Sequence, residues 1–121
     1  MKYATIAAAL VAAMFTTQAK ADADTDFAAK LTAAMVVKTV CDGYDVVAGS
    51  GSSKPAVVLA VKAAFLDYAG ESYRAVDMIP SITKTTKAAI EVAIAMLASD
   101  KNGKCKELGG SLVRAGLLER K

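Results

Sequence analysis

Residues 22–121 hold eighteen alanines, only two prolines (Pro55 and Pro80) and few alternating runs of β-branched side chains. Alanine loses no side-chain rotamers in a helix, so this composition directs the chain to helices rather than strands. Across all 121 residues 55% are apolar and 22% charged, enough for a buried core and unlike a disordered polar segment. The expected fold is all-α, a small three- or four-helix bundle.

Periodicity and punctuation place the helices. The first is expected from Asp26 to Ala48, with Thr25 as N-cap and Asp24 and Asp26 near the positive end of the dipole. Phe27, Leu31 and Met35 form its first apolar stripe, and Val36, Val40, Tyr44 and Val47 a second, with a weak point at Gly43 near Cys41. After the loop Gly49 to Ser53, Pro55 opens a second helix expected to reach Asp77 along Val58, Val61, Phe65, Tyr68, Ser72, Ala75 and Ile79. A third is expected from Ile82 to Lys101, with Ile82, Thr86, Ile90, Ala93 and Leu97 on one face and Asn102-Gly103 as its stop. Gly109, Gly110 and Gly116 leave a short, weak helix over Ser111 to Glu119.

The N-terminus carries an export signature. Lys2 precedes an apolar run from Tyr3 to Phe15, polar residues follow, and small residues flank Lys20 in Ala19-Lys20-Ala21. This pattern is that of a secretory signal peptide over residues 1–21, cleaved after Ala21 or, alternatively, after Ala23. The run of 13 residues falls short of the roughly 20 that span a bilayer. No later stretch reaches that length, so residues 22–121 are expected to be one helical domain, periplasmic or secreted, without a transmembrane segment. Cys41 and Cys105, 64 positions apart, are expected to form a disulfide there.

Loss of Lys2 and Lys20 lowers the formal net charge from +3 to +1, which argues against a nucleic-acid partner. Charge is nevertheless uneven: Lys101 to Lys121 carries six basic and two acidic residues, a segment able to touch a membrane surface. The chain has no histidine. That removes Ser-His-Asp triads, Cys-His dyads and histidine-type zinc sites, and no metal or cofactor is expected. Gly49 to Lys54 lacks the order of a phosphate-binding loop and follows a helix.

Two constellations merit weighing. Asp67, Glu71, Arg74 and Asp77 step along one face of the expected second helix; the carboxylates suit general acid–base work, and Glu71 with Arg74 equally suits a surface ion pair. Lys38, Asp42, Tyr44 and Asp45 gather charge around an aromatic ring beside Cys41, a candidate partner surface, although Tyr44 also fits the core stripe. Glu91 is expected to face water with Lys87, four residues earlier.

Cys41-Asp42-Gly43-Tyr44 is similar to the cysteine-x-x-aromatic start of small periplasmic acid-stress chaperones, which are exported, all-helical and closed by one disulfide. The likeness spans four residues, and the spacing to the second cysteine is longer here. It implies that acid, by protonating twelve carboxylates against thirteen cations, loosens the fold and exposes apolar helix faces. The general expectation is a small exported protein that acts by protein binding, without catalytic chemistry, as a stress-protective, inhibitory or adaptor module. Its partner is expected to be another exported protein or a second copy. The alternatives are the acid-stress chaperone and a carboxylate-dependent hydrolase of the cell envelope.

Overall fold

The computed structural model describes residues 23–47 and 55–121. The expected signal peptide, its cleavage site after Ala21 and the loop Gly49 to Ser53 lie outside the described residues, while the alternative site after Ala23 falls at the first described residue. Those described form four α-helices and one short ribbon: α1 (Ala23–Val40), β1 (Tyr44–Val46), α2 (Pro55–Tyr68), a 3-10 turn (Ala75–Asp77), α3 (Pro80–Ser99), α4 (Lys101–Arg114) and β2 (Leu118–Arg120). The chain is mostly helical and carries the Cys41–Cys105 disulfide, with Cα atoms 5.8 Å apart.

Helix α1 is the centre. Ala28, Ala29, Leu31, Thr32, Ala33, Ala34, Val36 and Val37 are all buried, so its apolar surface runs most of the way round rather than along one stripe. Thr32 tolerates this because its hydroxyl donates to the Ala28 carbonyl at 2.7 Å. Asp24 and Asp26 lie in the first described turn, but Ala23 is already helical, which puts Thr25 inside the helix and buried rather than at its N-cap. Its end is earlier than expected: the chain leaves the helix after Val40, and Gly43 at φ +91° turns it into β1. Tyr44 and Val47 are therefore extended and not on a helical stripe.

Two core clusters meet on α1. Ala28 and Leu31 share one with Val57, Ala60 and Val61 of α2 and Ile82 of α3. Ala33, Ala34, Val36, Val37 and Cys41 share the other with Ile90, Ala93 and Leu97 of α3 and Leu108 and Leu112 of α4. The start of α1 thus meets the start of α3 and the end of α1 its end, so these helices lie side by side in the same sense. The expected face of α3, Ile82 through Leu97, is buried throughout.

Helix α2 stops at Tyr68 and not at Asp77. Gly70, at φ +75°, closes it: its N–H donates to the Asp67 carbonyl at 3.1 Å and that of Glu71 to the Leu66 carbonyl at 2.8 Å. These are the two bonds of a Schellman cap. Glu71 and Arg74 lie beyond the helix, so Asp67, Glu71, Arg74 and Asp77 do not share a helical face. Arg74 pairs loosely with Asp77 at 3.9 Å rather than with Glu71.

The C-terminal segment departs furthest from expectation. Helix α3 ends at Ser99, and Asp100 caps α4 by accepting from the Gly103 N–H at 3.3 Å, so Asn102-Gly103 opens a helix where a stop was expected. The expected helix over Ser111 to Glu119 is replaced by the last turns of α4, a second Schellman cap at Gly116 and strand β2. Strands β1 and β2 pair antiparallel, with Tyr44 opposite Arg120, Asp45 opposite Glu119 and Val46 opposite Leu118. The ribbon binds the chain's end to the segment that follows α1.

Candidate functional site

Part of the expected apolar stripes of α1 and α2 joins the core, as Leu31, Val36 and Val61 do, and part lines a groove. Phe27, Leu31 and Met35 of α1 face Val58 and Phe65 of α2 across it, and Val46 and Val47 from the ribbon close one end. The space between them is about 250 Å³. Leu31 is buried, whereas Phe27, Met35, Val46, Val47, Val58 and Phe65 are only half-buried. Periodicity finds the facing side chains; it does not tell that a gap remains between them.

Lys38, Thr39 and Lys62 complete the wall. The Thr39 hydroxyl already donates to the Met35 carbonyl at 2.9 Å, which leaves the two ammonium groups as the charged donors of the wall. Lys38 lies 3.7 Å from Asp45, and Asp45 is shared with Lys121 at the same distance. Lys62 is exposed and has no ion-pair partner among the described residues.

The expected partner surface divides over this ribbon. Lys38 and Asp45 pair beside the groove. Asp42 and Tyr44 belong to a second, more open and polar hollow around the disulfide, with Lys101, Lys106, Arg120 and Lys121. Tyr44 is half-buried, its ring lying over Gly109 so closely that a Cβ there would come within 2.5 Å of Cζ. Sequence reasoning missed Lys62 and the whole α1–α2 groove, although Val58, Lys62 and Phe65 at i, i+4 and i+7 carried the signal.

Asp67 is committed elsewhere. Its carboxylate lies 2.6 Å from the Lys87 ammonium, joining α2 to α3. The hydrogen bond from Lys87 holds the carboxyl below its ordinary range, helped by the attraction of the Lys87 charge and a hydrogen bond from the Tyr73 hydroxyl and opposed by desolvation. The same pairing raises Lys87 above its ordinary range. Lys87 therefore answers Asp67 across the helix pair, while Glu91 is exposed, as expected. Among the described residues no His, Cys, Asp or Glu group of three or more could hold a metal ion, and no helix is long and apolar enough to cross a membrane.

The disulfide suits an oxidising compartment. No family model matches the chain, and neither a curated protein nor a solved structure matches it.

Proposed function

We propose that this chain is an exported binding protein that works without catalytic chemistry and receives an apolar group of its partner in the groove between α1, α2 and β1. The observation that carries this reading is the groove itself: six half-buried apolar side chains around about 250 Å³ among the described residues. The export-type N-terminus and the disulfide support action outside the cytoplasm. The commitment of Asp67 to Lys87 supports a non-catalytic role, since a general acid at neutral pH needs a raised carboxyl and this one is lowered.

A neutral, environment-sensitive naphthylamine dye tests the reading at neutral pH on the oxidised protein. Saturable one-site binding is expected, and filling the groove by Val58→Trp or Met35→Trp should abolish it while the helical circular dichroism stays unchanged. A native protein that takes up no dye, or whose uptake is indifferent to both substitutions, would rule the groove out as the binding surface.

A further inference from the structure

We infer that the occupant of this groove is a small carboxylate amphiphile of the fatty-acid class, an unbranched apolar body with one anionic head held at the lysines. The inference rests on the reading that the groove binds. It adds the ligand's chemistry.

Charge selects the head. The wall contains Lys38 and Lys62 and no carboxylate; Asp45, nearest to Lys38, already divides its charge between Lys38 and Lys121, and Lys62 is unopposed among the described residues. A lysine in such a wall lays its methylene stem along the apolar surface and keeps its ammonium at the water's edge. An anionic head at that edge meets positive charge while the chain behind it displaces water from Phe27, Leu31, Met35, Val58 and Phe65. A cationic head would meet repulsion at the same place.

Size selects the body. An α-helix with side chains is about 10 Å across, too wide for a gap this small between two packed helices, whereas an extended alkyl chain needs little width. The volume, about 250 Å³, falls just below the roughly 300 Å³ at which sites for drug-sized molecules start, which suits a slender ligand. The absence of a directional donor set from the wall, once Thr39 is satisfied by Met35, favours a head recognised by charge over one read by several oriented hydrogen bonds.

The test compares decanoate, decanol and decylammonium by calorimetric titration of the oxidised protein, each below its aggregation threshold. Decanoate is expected to bind one to one and more tightly than decanol by roughly two- to fivefold, the worth of an exposed charge pair, with decylammonium weakest. Rising salt should narrow the gap between decanoate and decanol. Lys62→Gln, at an exposed position, should remove most of the decanoate advantage and leave decanol unchanged. Equal affinity for decanoate and decanol overturns this inference and leaves the binding groove standing. A decanoate advantage that survives Lys62→Gln combined with Lys38→Gln also overturns it. Failure of all three ligands and of the neutral dye removes the groove reading as well.

Discussion

A single missing side chain lets α4 and the ribbon meet. Gly109 lies in the middle of α4, where glycine costs about 1 kcal/mol against alanine, yet the Tyr44 ring occupies the space a Cβ would need. The glycine is there for the ring, not for the helix. Gly109→Ala should therefore destabilise the protein, since the half-buried ring must shift to admit the methyl group. In a Tyr44→Ala background the same substitution meets no ring and should stabilise by about 1 kcal/mol through helix propensity. Urea unfolding of the four proteins of this cycle decides the matter. The same sign of effect in both backgrounds would mean that the ring is free to swing aside. This contact also explains why α4 is hard to read from sequence: three glycines lower its propensity, and the partner that makes one of them necessary is 65 positions away.

At the level of elements, what the sequence makes legible is what local rules decide. The start of α2 at Pro55, the buried face of α3 and the cysteine pair follow from a fixed φ, a steady period and parity. The end of α2 was obscured because Ser72, Ala75 and Ile79 continue the helical spacing by coincidence, while Gly70 ends the helix through its backbone. Three-residue strands are too short to show a period of two, so the ribbon leaves no pattern. The pairing of Asp67 with Lys87 depends on how α2 crosses α3, which neither helix encodes alone. That pair carries a pH dependence. Asp67 titrates below its ordinary value of 3.8, so its contribution is complete above that pH and is lost as pH falls through the lowered folded value. Lys87, raised above 10.5, contributes below that pH and loses its share as pH rises through its folded value. Asp67→Asn should thus lower the urea midpoint by a constant amount from about pH 5 to pH 9, with the difference from the parent vanishing in strong acid. A difference that stays the same from pH 5 down into strong acid would show that Asp67 titrates at its ordinary value in the folded protein. If the difference behaves as expected, acid-driven loosening of the α2–α3 contact begins only below the ordinary carboxylate range, a stricter condition than the general protonation argument sets.

For the whole molecule, the disulfide and the ribbon close the same seam at two heights. Cys41 follows the last turn of α1 and is buried, Cys105 lies in the second turn of α4, and the pairs from Tyr44 to Val46 hold the chain's end alongside. Because the packed side chains of α1 are mostly alanine, threonine and valine, each buries modest area, and a chain of this length gains little margin from its core. The cross-link acts on the other side of the balance by restricting the unfolded chain. A loop of 64 residues corresponds to about 4 kcal/mol in the chain-entropy account, against a typical total of 5–15 kcal/mol for small domains. Replacing both cysteines by alanine, which avoids burying a hydroxyl at Cys41, should leave a cooperatively folded protein, since Leu108 and Leu112 still pack on α1 and the ribbon remains paired. Its melting temperature should fall on the order of 20 °C. Scanning calorimetry of the two forms measures this directly. A fall of only a few degrees would mean that the unfolded chain is already held together without the bond; loss of the transition altogether would mean that the core cannot stand alone, and folding would then depend on an oxidising compartment.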